Sequence, residues 1–233
     1  GLFRRADFVQ KAYKLAHSGD IHSAEDPKLA QAREDLREKM AAFERGYLQN
    51  MQADRFRVHF HLPSGRSLVR LWKKNQSESD DLSGFRQTVL DISQGSHDPI
   101  TGIEIGRGGF AIRGIAPVVA DSGRYLGSVE VLSSYDPVVE SMVSSQEENL
   151  AVYMNREFLS TAQKLQDREE HPVVGEDFVF VSSTDTALTE KIVQPGLLRK
   201  GMSGIAEQNL RNKHVATFPI KDYSGTQIGV MLY

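Results

Sequence analysis

The sequence predicts an α+β protein: a long N-terminal helical region followed by two tandem modules, each built on an antiparallel sheet. Three observations carry that expectation. A hairpin pattern occurs twice, because Pro117, Ser122-Gly123 and Leu126-Gly127 return as Pro219, Ser224-Gly225 and Ile228-Gly229, always 102 residues apart. A repeat of that size suggests two like modules. Residues 56–62 alternate strictly, with Phe56, Val58, Phe60 and Leu62 on one face and Arg57, His59 and His61 on the other, the period of a half-buried strand. Before residue 52, in contrast, apolar residues recur at helical spacing. The expected organisation is a helical region over residues 1–52, a first module over 53–135, and a connector helix with a second module over 136–233.

Taken in order, Phe8, Val9, Ala12, Leu15 and Ala16 predict a helix within residues 3–18, and His17-Ser-Gly-Asp-Ile breaks it. Asp26 is a good N-cap with Pro27 at the first helical position. The helix that follows keeps Leu29, Ala32, Leu36, Met40, Phe43 and Tyr47 on one stripe, with Arg33, Arg37, Glu38 and Arg45 off it. Such a stripe packs on a sheet or forms a dimer seam. Pro63-Ser-Gly-Arg is a turn, and Ser67–Lys73 is a returning strand with Arg70 and Trp72 on one face. Residues 74–84 read as a polar loop, and Phe85, Val89 and Ile92 as a short helix over the sheet. Gly102–Val131 reads as strand, glycine kink, strand, Ser-Gly turn and strand. Asp136-Pro137 starts a helix, and Leu150, Val152 and Phe158 extend its pattern into a long connector. Phe178–Val181 is a strand. Thr186–Val193 is a short helix ended by Pro195-Gly196, residues 199–213 are loop-rich, and Val215–Ile220 with Gln227–Leu232 form the second hairpin.

The 28 basic and 31 acidic residues nearly balance, which gives no electrostatic argument for nucleic acid. The absence of cysteine excludes disulfides, thiolate metal sites and cysteine nucleophiles. No run approaches the roughly 20 apolar residues that span a bilayer, and no signal peptide is present. The abrupt start and the strand-like end at Tyr233 read as a segment of something longer.

His59 and His61 form an H-x-H pair facing one way, a spacing that can hold Zn²⁺. A site needs a third and usually a fourth ligand, and no His or Glu cluster lies nearby in sequence. The pair therefore reads as sheet-face histidines joined by hydrogen bonds, and neither metal nor cofactor is expected. Gly106-Arg-Gly-Gly109 is followed by a strand rather than a helix, so it reads as a backbone kink and not a phosphate loop. Arg66, Arg70, Arg86, Arg107 and Arg113 spread over successive elements of the first module. Guanidinium forks suit carboxylates, and an adjacent ring such as Trp72 walls off water. Asp80, Asp81 and Glu104 are the acids that compete for them. No nucleophile–base–orienter set emerges, so an enzyme is not expected.

Three motifs carry a resemblance: HFHLPSGRSLVRLW at His59–Trp72, DDLSGFRQTV at Asp80–Val89 and GIEIGRGGFAIRGIAPV at Gly102–Val118. Together they resemble the double Cache sensor family, in particular the group described as a double sensory domain of two-component sensor kinases and chemoreceptors. VYMNREFL at Val152–Leu159 is similar to that group's inter-module segment. The resemblance implies a long N-terminal helix beside two PAS-like (Cache) modules. It also implies an extracytoplasmic, periplasmic position in an inner-membrane receptor between two transmembrane helices, and a small ligand in the membrane-distal module. His61, Arg66, Arg70, Trp72, Phe85, Arg86, Glu104, Arg107 and Arg113 fall in the matching motifs as candidate ligand-binding residues. Amino-acid-binding members of a related group carry an R-x-W pair, and Arg70-Leu-Trp72 has its spacing. The accompanying tyrosines and later aspartate are not found, so the ligand stays open between a carboxylate and an amino acid. A homodimer through the N-terminal helices is expected. The alternative function is a protein-interaction module that reads a periplasmic binding protein or its own dimer state.

Overall fold

The computed structural model describes residues 3–51, 55–73, 79–145, 147–210 and 212–233. The chain divides into two compact units, Gly1–Thr101 with Arg113–Ser133, and Gly102–Ile112 with Ser134–Tyr233. Each contains an antiparallel sheet, and helices precede the first, giving the α+β architecture that the sequence predicts.

The first unit opens with α1 (Asp7–Ala16) and α2 (Pro27–Met51). Helix α2 starts where the sequence places it, because the Asp26 carboxylate accepts from the amides of Lys28 at 2.8 Å and Leu29 at 3.2 Å, pairing helix-end donors that have no partner inside the helix. Strands β1 (Val58–His61), β2 (Ser67–Arg70), β3 (Ile100–Gly106), β4 (Gly109–Val119) and β5 (Tyr125–Ser134) form a sheet in the order β2-β1-β5-β4-β3. Helix α3 (Gln87–Gln94) intervenes between β2 and β3. The predicted loop at 74–84 lies in part, at 74–78, outside the described residues.

Alternation along β1 sends Val58 and Phe60 into a core with Tyr13, Leu29, Leu36 and Met40 of the two helices. Burying each such side chain stabilises by about 1.5–3 kcal/mol. The Tyr13 hydroxyl lies 2.9 Å from the His61 carbonyl and 2.8 Å from that of Ser128, sharing its proton between them. Burial pushes its pKa well above the ordinary value and keeps it a donor. Two residues of the α2 stripe behave differently from the rest: Phe43 and Tyr47 remain 41% and 38% exposed. Arg33, expected off the buried face, is itself buried, with Nε donating to the Leu68 carbonyl at 2.9 Å.

The second unit adds α4 (Asp136–Met142), β6 (Ala151–Asn155), β7 (Val173–Val174), β8 (Phe178–Ser183), α5 (Thr186–Ile192), α6 (Pro195–Ser203), β9 (Ala206–Leu210), β10 (Lys213–Lys221) and β11 (Gln227–Leu232). Its sheet runs β7-β8-β6-β11-β10-β9, which contains the first sheet's order with one strand added at the edge. Three expectations need correction. The connector helix stops at Met142, and Ala151–Asn155 is a strand. All five of its residues are buried, so the run carries no two-residue period to betray it. Pro195 opens a helix instead of closing one, and residues 206–210 form an edge strand. Proline at the first helical position loses only a donor that has no helical partner.

The hairpin repeat is structural as well as sequential. Gly123 (φ 85°) and Gly225 (φ 90°) make the same turn, with amides donating to the carbonyls of Ala120 and Asp222 at 2.9 and 3.0 Å. At Gly127 (φ 144°) a Cβ would press on the His61 carbonyl oxygen and the Tyr13 ring, and at Gly229 on the Tyr153 carbonyl oxygen and the Phe110 ring. Glycine is required where a neighbouring strand comes this close.

Candidate functional site: a buried polar face on the first sheet

The strand register that sends Phe60 to the helices sends His59 and His61 to the opposite face. Across the sheet His59 stands opposite Arg70 on one side and Glu130 on the other, and His61 opposite Ser67 and Ser128. Arg113 on β4 and Arg86, just before α3, complete the group. Among these, His59, His61, Ser67, Arg86, Arg113, Ser128 and Glu130 are all buried. Val89, Ile92 and Ile115 form a small apolar cluster on the same unit.

Glu130 organises the face. Its Oε1 accepts from Arg86 Nη2 and, at 3.1 Å, from Arg113 Nη1. Arg86 also donates to the Thr88 hydroxyl at 3.3 Å. The other carboxylate oxygen, Oε2, lies 3.7 Å from both His59 Nδ1 and His61 Nε2 and has no hydrogen-bond partner. The histidines form a file between two serines. Ser67 Oγ to His59 Nε2 is 2.8 Å, His59 Nδ1 to His61 Nε2 is 2.9 Å, and His61 Nδ1 to Ser128 Oγ is 3.0 Å. Beside them Arg70 makes a two-point pair with Asp80 at 2.6 and 2.9 Å. The Trp72 ring meets the His59 ring edge-on with centroids 5.9 Å apart.

Burial depresses the His59 pKa to about 4, and it holds His61 well below its ordinary value, with its neighbour His59 adding to the effect. Both imidazoles are therefore neutral near pH 7. For Glu130, burial alone would raise the pKa, but the guanidinium groups of Arg86 and Arg113 outweigh it and hold the carboxyl well below the usual range. Three guanidinium groups thus face two carboxylates, Asp80 and Glu130, with the histidines uncharged.

The second module supplies an internal contrast. At the spacing of the hairpin repeat, Arg113, Ser128 and Glu130 correspond to Val215, Val230 and Leu232. Strand pairing sets Ala151 opposite Leu232 and Tyr153 opposite Val230, where the first module has His59 and His61. Those second-module residues pack with Phe178, Leu197 and Leu198 into an apolar core. The same scaffold position is oily in one module and charged in the other. Stability of the fold does not require the charged version.

Of the residues singled out from sequence, His61, Arg70, Trp72, Arg86 and Arg113 share this face. Arg66 is half-buried and bridges to Asp81, and Phe85 is half-buried in the turn leading to α3. Glu104 and Arg107 belong to the second unit, Glu104 buried on β3 and Arg107 exposed in the β3–β4 turn, where its carbonyl accepts from the Lys164 amide at 3.0 Å. Sequence reading passed over Glu130, the centre of the face, and its neighbour Ser128. Aligning the two hairpins would have exposed both, because like Arg113 they are polar residues set against apolar ones in matching strands.

Two antiparallel sheets of like strand order follow the N-terminal helices, and among the described residues the first carries a buried charged cluster. The chain belongs to the family described as the double sensory domain of two-component sensor kinases, which matches residues 5–232. Among solved structures it is similar to the sensor domain of the Vibrio cholerae histidine kinase DctB, with 10% identity, 99% of this chain and 85% of that chain covered, and a TM-score of 0.49. It is similar to the sensory domain of the Campylobacter jejuni chemoreceptor Tlp3 (CcmL) with isoleucine bound, with 12% identity, coverage of 99% and 81%, and a TM-score of 0.46. It also matches an extracellular ligand-binding receptor from Desulfohalobium retbaense at 16% identity and a TM-score of 0.45, where 97% of this chain spans only 39% of that one. No curated protein matches in sequence. No described helix is long and apolar enough to cross a membrane.

Proposed function

We propose that this chain is the extracytoplasmic, periplasmic ligand-sensing domain of a membrane-anchored signal-transduction receptor, a chemoreceptor or a sensor histidine kinase. Its first module, residues 53–135, is then the membrane-distal one and takes a small anionic or zwitterionic ligand. The observation that carries this reading is the internal contrast between modules. Buried charge is costly, and the first module buries Arg86, Arg113 and Glu130, with the Arg70–Asp80 pair at their margin, where the matching hairpin positions of the other module lie in an apolar core. An excess of one positive charge favours an anion, and the presence of both signs suits a zwitterion. Arg70 and Trp72, at the margin of the face, are the contacts first tested, with His61, Arg66 and Phe85 as further candidates. Arg86 and Arg113 position Glu130. Phe43 and Tyr47, one helical turn apart and exposed on α2, support a homodimer through the N-terminal helices.

A thermal-shift screen of carboxylates and amino acids tests the ligand. At 100 times the dissociation constant a ligand stabilises by about 2.7 kcal/mol, which raises Tm by roughly 5–10 °C for a domain of this size. Arg70→Ala should weaken the hit at least about tenfold (~1.4 kcal/mol), measured against that variant's own ligand-free unfolding transition, which loss of the Asp80 pair lowers. A broad screen with no shift above 1–2 °C would sink the small-ligand reading.

A further inference from the structure

The polar face contains one group set that an anion site does not need. We propose that His59, His61 and Glu130 bind a single divalent transition-metal ion, with Zn²⁺ the ion whose ligand preferences they match. The inference rests on the geometry of these three residues and stands whether or not the small-ligand reading holds.

The three donor atoms are His59 Nδ1, His61 Nε2 and Glu130 Oε2, separated by 2.9, 3.7 and 3.7 Å. A point equidistant from atoms so spaced lies about 2.0 Å from each, the length of Zn–N and Zn–O bonds. The chain thus brings together, from β1 and β5, three ligand atoms already at coordination distance of one centre. The orientation of each group agrees. The outward ring nitrogens, His59 Nε2 and His61 Nδ1, lie 2.8 and 3.0 Å from the Ser67 and Ser128 hydroxyls, which can accept from both rings in the tautomer that turns both lone pairs inward, as metal-bound histidines require. Without metal one imidazole N–H bridges His59 Nδ1 and His61 Nε2, and shifting that one proton to the serine side of its ring makes the tautomer without net loss of a proton.

Glu130 supplies the independent sign. Its Oε1 is occupied by Arg86 and Arg113, yet Oε2 is fully buried and unpartnered. A buried carboxylate oxygen left without a hydrogen bond is costly, and this one is turned toward the inward faces of two neutral imidazoles. Nor does the fold explain the trio, since the second module replaces it with Ala151, Tyr153 and Leu232 in an apolar core. Two imidazoles and one carboxylate form a three-ligand zinc set with an open position. Arg86 and Arg113 add positive charge nearby, so the open position favours hydroxide or an anion over a neutral group.

The test uses the 233-residue chain, stripped with a chelator, loaded with ZnSO₄ and dialysed, with no small-molecule ligand present. Metal content by mass spectrometry should reach about one ion per chain, and Co²⁺ loading should give the visible absorption of a low-coordinate site. His59→Gln and His61→Gln should each lower zinc affinity at least about tenfold while keeping the wild-type unfolding transition. These variants carry the test, because Glu130→Gln also removes the counter-charge of two buried arginines. Fewer than about 0.1 ions per chain in the wild type would overturn the proposal. So would unchanged loading of both histidine variants, which would assign the zinc to exposed histidines such as His22 and His214. Since metal content is read without ligand, a failed ligand screen leaves this result intact, and the reverse also holds.

Discussion

Replacing Arg113 with valine, the residue that the second module carries at the matching position, removes one of the two guanidinium groups that hold Glu130. The pair is closed at 3.1 Å, Arg113 is 7% exposed and Glu130 is fully buried. Breaking a buried pair by deleting one partner costs about 3–5 kcal/mol, and because Arg86 still contacts the same oxygen the lower end applies. A loss of about 3 kcal/mol lowers Tm by roughly 6–12 °C in a domain of this size. The readout is specific to the module, because Trp72 is the only tryptophan in the chain and stands against His59. Its fluorescence during denaturant unfolding of chelator-treated protein therefore reports the first module. Adding Glu130→Leu to Arg113→Val removes the stranded carboxylate, so the double variant should lose about 1–3 kcal/mol less than the sum of the two singles. An Arg113→Val protein within about 0.5 kcal/mol of wild type, or strict additivity in the double variant, would refute the reasoning that Glu130 is held as a buried charge.

The repeat gives a second comparison. Gly123→Ala meets open space and adopts only a left-handed backbone, at roughly 1–2 kcal/mol, whereas Gly127→Ala also drives a methyl into the His61 carbonyl and the Tyr13 ring. Urea titrations should rank Gly127→Ala lower by at least about 2 kcal/mol, and equal losses would contradict the close approach of β1 to β5. On α2, Phe43→Ser with Tyr47→Ser should shift the concentration dependence of self-association toward monomer. Light scattering checks it, and an unchanged mass profile would remove that helix from the dimer seam.

Much of the scaffold could be read directly. The strict alternation from Phe56 to Leu62, the Asp26-Pro27 helix start and the Ser-Gly turns at a fixed spacing are local signals, and each forms the element it predicts. Ala151–Asn155 failed because a strand with apolar residues on both faces loses its period, and residues 206–210 because an edge strand needs few apolar side chains. The candidate site divides the same way. His59 and His61 declare a shared face through their own spacing, and Arg70 with Trp72 through theirs. Glu130 does not, because its meaning comes from β5 pairing beside β1, 69 residues from His61 in sequence. The missing third ligand of an H-x-H pair was a matter of topology.

Hydrogen exchange of the chain with and without the best hit of the ligand screen is the most direct test of where sensing occurs. Added protection confined to residues 58–61, 86–89 and 125–134 is expected, around the buried face that Glu130 organises. Protection falling instead on residues 151–155 and 227–232 would place the ligand in the second module and contradict the assignment.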